Sequence, residues 1–287
     1  MVEKVVSVNP RQFAVLGNPV QHSLSPIIHE QFARQFGHSI AYSRKLLQAE
    51  SFAQYVREFF ADGGGGLNVT VPFKALAHAC ADWLHESAEQ AGAANTLVSG
   101  DNGIEAWNTD GAGFINDLVG RCKFTIAAKK ILVLGAGGAA QGIVGPLLDS
   151  GPASVTVVNR TPSKAAQLID RTALKYADVE LRAMSLLELD TDGESFDLII
   201  NSTSLGLDGG SVKLPPNFAV GAFCYDLSYG ATAAFAHWAK RCGAEGVADG
   251  LGMLVEQAAL SYEVWFGVKP ATKQVYQLLS EQLQGSD

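Results

Sequence analysis

Gly135, Gly137 and Ala140 fall on the G-x-G-x-x-G/A spacing of a dinucleotide-binding turn, directly after the apolar run Ile131-Leu132-Val133-Leu134. Each small residue has a use there: Gly135 for the tight turn, Gly137 for close approach of a pyrophosphate, Ala140 for packing of helix on strand. With Ala136, Gly138 and Ala139 they would present backbone N–H groups and the positive end of a helix dipole to phosphate. The next apolar run, Ser154 to Val158, ends in Asn159-Arg160-Thr161 with Lys164 one turn on. An acid at that tip would accept from the 2′-hydroxyl of NAD; here the tip is basic, and Arg160 and Lys164 suit a 2′-phosphate. The expected cofactor is therefore NADP.

A second group of residues presents polar side chains together. In Leu67-Asn68-Val69-Thr70-Val71, alternation places Asn68 and Thr70 on one strand face, and Lys74 follows just past Pro72-Phe73. Asp110, in Asn108-Thr109-Asp110-Gly111, opens a helix; a carboxylate there suits the helix dipole and could equally partner Lys74. A lysine beside two such polar side chains suits a binding site, because binding groups cluster where strands hand over to loops. In His22-Ser23-Leu24-Ser25-Pro26, Ser25 reads as an N-cap with Pro26 at the first helical position, while Ser23 could offer a further hydroxyl to an anion.

These groups need two sets of elements. An N-terminal α/β domain is expected from strands at 11–16, 40–46 and 67–71, helices at 27–36 and 49–60, and a hairpin of 96–99 with 104–108. A helix from Asp110 to about Val119 and a link at 120–130 lead to the dinucleotide domain. Its later strands are expected at 179–183, 196–201, 222–226 and 246–248, alternating with helices as in a doubly wound parallel sheet. Polar segments follow two of those strand ends, Asn201-Ser202-Thr203-Ser204-Leu205-Gly206 and Tyr225-Asp226-Leu227-Ser228-Tyr229, where ligand contacts gather in such sheets. Asp249 to Gln257 then enters a helix to about Phe266, and 271–283 forms a last one. Met253 and Gln257 share a helix face, with core filling the ordinary role of the methionine.

The 287 residues are 47% hydrophobic and 17% charged, enough for two cores and too apolar for a disordered chain. A net charge of −8 disfavours nucleic acid and acidic membranes as partners. Cys80, Cys122, Cys224 and Cys242 are scattered without a C-x-x-C pair, so no metal site is signalled and free thiols in a reducing compartment are expected. No stretch is long and apolar enough to span a membrane, because 131–148 is broken by glycines, Gln141 and Pro146. A cytoplasmic protein is expected.

Taken in order, the His22–Pro26, Asn68–Lys74, Gly92–Thr96, Asn108–Gly111, Gly135–Ala139, Asn159–Thr161, Asn201–Gly206 and Asp249–Gln257 motifs resemble the shikimate dehydrogenase family over nearly the full chain. The resemblance implies an α/β protein of two domains. Residues 1–110 plus 249–287 would form a substrate domain completed by C-terminal helices, and 111–248 a doubly wound, Rossmann-like NADP domain. It implies reversible NADPH-dependent reduction of 3-dehydroshikimate to shikimate, in the shikimate pathway to chorismate and the aromatic amino acids, by a monomer or homodimer. By motif matching, Ser23 and Ser25 would hold the substrate carboxylate. Asn68, Thr70, Asn95, Asp110 and Gln257 would bind ring hydroxyls, Tyr229 would lie close by, and Lys74 and Asp110 would be the catalytic pair. Gly135, Ala136, Gly137, Gly138 and Ala139 would take the pyrophosphate and Asn159, Arg160, Thr161 and Lys164 the adenosine phosphate. Leu227, Gly250 and Met253 would adjoin the nicotinamide. Lys164 stands where the family often has arginine, and Leu227 and Leu207 where it often has methionine.

Overall fold

The computed structural model describes residues 10–284 apart from 174, 193, 204–209 and 211–213. The chain divides into two compact units, Met1–Thr109 with Ala258–Val275 and Asp110–Gln257 with Tyr276–Asp287. The helices Leu251–Phe266 and Lys273–Gln284 carry residues of both.

The first unit holds strands β1 (Arg11–Gly17), β2 (Ile40–Leu46), β3 (Gly66–Val69), β4 (Trp83–Leu84), β5 (Thr96–Gly100) and β6 (Gly103–Trp107). They form one mixed sheet in the order β2-β1-β3-β5-β6-β4. β1 runs parallel to β2 and β3, and the expected β5–β6 hairpin is antiparallel. One face is closed by Phe52 and Val56 of helix Ala49–Ala61, packed with Ala14, Leu16, Leu67, Val69 and Leu97. On the other, Phe13, Val15 and Tyr42 pack with Trp265, whose indole N–H donates to the Leu97 carbonyl at 3.1 Å. Trp265, on the helix Leu251–Phe266, thus packs against this face of the sheet.

Two local expectations change. β3 ends at Val69, two residues early, and Thr70 lies in the turn that follows; its N–H still bonds the Leu16 carbonyl at 2.8 Å. Helix Ser25–Phe36 begins at Ser25 itself with Leu24 at the cap, and no side chain caps it, so Ser25 is not the N-cap. Pro26 sits in the first turn as expected, where a missing N–H costs nothing.

The second unit is the doubly wound half. Strands β7 (Lys130–Leu134), β8 (Ser154–Val158), β9 (Glu180–Met184), β10 (Leu198–Asn201), β11 (Phe223–Asp226) and β12 (Gly246–Ala248) are all parallel, in the order β12-β11-β10-β7-β8-β9. The order reverses between β7 and β10, which makes the carboxyl ends of that pair the topological switch point. β7 and β8 are buried on both faces, Lys130 excepted, which explains their unbroken apolar runs. Ile143, Val144 and Leu147 of helix Gly138–Asp149 fill one side with Ile131, Val133, Leu198 and Ile200. Phe218, Phe235 and Ala239 fill the other with Leu132 and Ile199.

Candidate active site

Within the first unit a hydrogen-bond network involves four of the expected substrate residues, Ser23, Ser25, Asn68 and Asn95. The Ser25 N–H donates to Ser23 Oγ at 3.3 Å, and the two hydroxyls lie 3.1 Å apart. Ser25 is in turn hydrogen-bonded to the Tyr42 hydroxyl, which donates to Asn68 Oδ1 at 2.7 Å. Burial pushes this phenol well above its ordinary pKa, with Ser25 and the charge of Arg44 opposing, so it stays a neutral donor. Asn68 Nδ2 donates onward to the Asn95 carbonyl at 3.2 Å and Ser261 Oγ at 3.0 Å. The Ser261 and Thr96 hydroxyls are hydrogen-bonded at 2.7 Å.

Asn95 closes the network. Its Nδ2 donates to Thr109 Oγ1 at 2.9 Å, and its Oδ1 accepts the Thr109 N–H at 2.9 Å. Asn68, Asn95, Thr96, Thr109 and Ser261 are all buried. Their side chains are therefore held by one another, which presets hydroxyl and amide positions before a ligand arrives.

Lys74 is half-buried and opens the helix Lys74–Cys80, and its carbonyl accepts the Ala94 N–H at 2.9 Å. The backbone of the lysine is thus tied to the residue next to Asn95. Thr70, also half-buried, lies in the turn between β3 and that helix.

Asp110, Gln257 and Tyr229 belong to the second unit. Asp110 is buried at the first position of helix Asp110–Ile115, immediately after the Thr109 that Asn95 holds. Gln257 is buried on helix Leu251–Phe266, and its Nε2 donates to the Leu254 carbonyl at 2.7 Å. Tyr229 is half-buried, and burial with the charge of Asp249 raises its hydroxyl pKa.

At the switch point Gly135 has φ +102°, and a Cβ there would stand 2.7 Å from Ser202 Oγ; only glycine fits. Ala136 is buried beneath the turn, Ala139 is half-buried, and Gly137 and Gly138 are exposed with nothing within 4 Å of where a Cβ would be. The start of the twelve-residue helix Gly138–Asp149 is therefore uncrowded at these two glycines, which leaves room for the close approach of a pyrophosphate. At the tip of β8, Asn159 Nδ2 donates to the Thr161 carbonyl at 2.9 Å, shaping a turn from which Arg160, Thr161 and Lys164 are exposed. Leu227 and Met253 are half-buried against the same core, so each both fills it and shows a surface. Gly250 packs so close to the Leu227 carbonyl that no side chain would fit, which brings the two loops together. Ser204, Leu205, Gly206 and Leu207 lie outside the described residues.

Sequence reasoning assigned no role to Tyr42, Arg44, Thr96, Thr109 or Ser261. Tyr42 and Arg44 had a usable signal, two polar-tipped residues two apart on an edge strand. Ser261 falls four residues after Gln257 on the same helix face, a spacing that could have suggested it. Among the described residues no cluster of His, Cys, Asp and Glu could hold a metal ion, and no helix is long and apolar enough to cross a membrane.

Known proteins resemble the chain over most of its length. Three family models match: the shikimate dehydrogenase substrate binding domain at residues 15–97, shikimate / quinate 5-dehydrogenase at 118–206, and the shikimate 5′-dehydrogenase C-terminal domain at 250–279. A shikimate dehydrogenase (NADP(+)) of Vibrio cholerae is 45% identical over 278 residues, 96% of this chain and 98% of that protein. Among solved structures, an Ael1 enzyme from Pseudomonas putida superposes with a TM-score of 0.86 at 35% identity, covering 94% and 98% of the two chains. Shikimate 5-dehydrogenase from Thermus thermophilus, in complex with NADP(H) and shikimate, gives 0.79 at 30% identity, covering 93% and 97%. With its sheet orders, its buried polar network and its glycine turn, the chain belongs to the shikimate dehydrogenase family of oxidoreductases.

Proposed function

We propose that the chain catalyses the reversible NADPH-dependent reduction of 3-dehydroshikimate to shikimate in the shikimate pathway, with Lys74 and Asp110 as the catalytic pair. The buried network from Ser25 through Tyr42 and Asn68 to Asn95, beside the backbone of Lys74, carries the assignment. A polyhydroxylated ring is selected best by preset hydrogen-bonding groups, since an analogue lacking a hydroxyl leaves buried partners unpaired.

In functional terms residues 1–110 with 249–287 bind substrate and 111–248 bind NADP. Ser23 and Ser25 take the carboxylate; Asn68, Thr70, Asn95, Asp110 and Gln257 take ring hydroxyls, with Tyr229 alongside. Gly135 to Ala139 hold the pyrophosphate, and Asn159, Arg160, Thr161 and Lys164 the 2′-phosphate, where no acid competes. Leu227, Gly250 and Met253 shape the nicotinamide side. When bound, NADPH supplies the hydride. Lys74 Nζ gives a proton to the carbonyl oxygen during reduction and receives it back during oxidation, and Asp110 orients the lysine and accepts from a neighbouring hydroxyl.

Initial rates with shikimate and quinate crossed against NADP⁺ and NAD⁺ test this. Strong preference for shikimate with NADP⁺ is the expected result. Comparable rates with quinate or NAD⁺ would move the chain to a broader-specificity branch, and no turnover with any pair would refute the activity.

A further inference from the structure

Arg44 stands on β2 two residues beyond Tyr42, on the same side of the strand. Its Nε and Nη2 both donate to the Ser23 carbonyl, at 2.8 and 2.6 Å. A guanidinium fork on one carbonyl fixes the loop that carries Ser23 and, through the Ser23 Oγ contact with the Ser25 N–H and hydroxyl, the geometry of the serine pair. The same fork brings a permanent positive charge to a pair of hydroxyls that are otherwise neutral, on a chain of net charge −8. The guanidinium charge also opposes the rise that burial gives the pKa of the Tyr42 hydroxyl.

We propose that Arg44 is a positioning and specificity residue for the carboxylate end of the substrate. It holds Ser23 and Ser25 at the spacing a carboxylate needs and supplies the positive field that favours an anion over a neutral analogue. This rests on the shikimate reading above. Two serine hydroxyls alone would accept an ester or an amide nearly as well as a carboxylate; a neighbouring guanidinium makes the choice unequal. The arginine is exposed, so its replacement leaves the packed interior untouched.

The test compares wild type, Arg44→Gln and Arg44→Lys with shikimate and its methyl ester, in low and high NaCl. For Arg44→Gln, KM for shikimate should rise about fivefold to tenfold, with kcat within about twofold, and KM for the ester should barely move. The difference should shrink as salt screens the charge. Arg44→Lys should recover part of the shikimate preference through charge while losing the fork on Ser23. Equal KM rises for acid and ester in Arg44→Gln, or no rise at all, would overturn the role in anion selection. A wild-type protein inactive with shikimate would instead overturn the functional reading on which it rests.

Discussion

Asn95 grips Thr109 with both ends of its amide, Nδ2 donating to the threonine hydroxyl and Oδ1 accepting its N–H, each at 2.9 Å. The residue before Asn95 bonds the backbone of Lys74, and the residue after Thr109 is Asp110. One asparagine therefore stands between the backbone anchors of both proposed catalytic residues. Asn95→Ala should leave the buried Thr109 N–H without its acceptor. A stability loss of about 1–3 kcal/mol in urea unfolding is expected, with a fall in kcat that persists at saturating substrate. Unchanged kcat would mean the clamp serves folding alone.

Lys74→Ala should lower kcat by about 10²–10⁴-fold, the range for losing a positioned proton donor. Shikimate affinity by calorimetry should change much less, because the proposed ring-hydroxyl partners Asn68, Thr70, Asn95 and Gln257 all remain. Near-normal turnover would remove Lys74 from the mechanism.

The two glycines of the turn should separate folding from cofactor binding. Gly135→Ala places a Cβ at φ +102° against Ser202 and should destabilise the fold by about 1–3 kcal/mol. Gly137 has φ −86° and open space around it, so Gly137→Ala should unfold within about 0.5 kcal/mol of wild type while weakening NADP⁺ binding. Thermal melts with and without NADP⁺ read both effects. Equal NADP⁺ stabilisation of Gly137→Ala and wild type would place the pyrophosphate elsewhere.

Arg160→Ala should raise KM for NADP⁺ by about tenfold or more and leave KM for NAD⁺ nearly unchanged, because the side chain is exposed at the tip of β8 and free to meet a phosphate. A parallel change for both cofactors would show that the residue acts on the loop and not on the 2′-phosphate.

His29 gives the fold a pH dependence. Its ring is fully buried, stacked 4.8 Å from Tyr42, and among the described residues neither nitrogen has a partner within hydrogen-bond geometry. Burial lowers its pKa from 6.5 to about 3, with the Asn68 side chain opposing. The folded chain therefore refuses a proton that the unfolded chain accepts. The stability this neutral imidazole allows is complete above pH 6.5 and is lost as pH falls from there towards about 3. His29→Phe should flatten that limb of the stability curve, measured by urea midpoints between those values. An unchanged slope would assign acid sensitivity to other groups.

Much of the second unit was readable in the chain because its signals are local. A strand buried on both faces must be continuously apolar, and a turn at φ +102° must be glycine, so β7, β8 and the intervening turn could be placed from residue types alone. The basic tip at Arg160 was legible for the same reason, as a charge standing at a strand end. Ser25 was misread as a cap because an N-cap preference is statistical, whereas the hydroxyl here goes to Ser23 and Tyr42. Thr70 was placed on the strand because alternation carries no mark of where pairing stops; β3 stops with Val69 opposite Leu16, while β1 runs on to Gly17. The link from Asn68 to Ser261 spans 193 residues. Helix spacing puts Ser261 on the face of Gln257 but does not pair it with Asn68, because hydrogen bonds between buried polar groups are chosen by which surfaces the packed sheet and helix bring into contact. Residue types and order were sufficient to name the chemistry, and long-range packing selected which hydroxyls and amides are held ready for it.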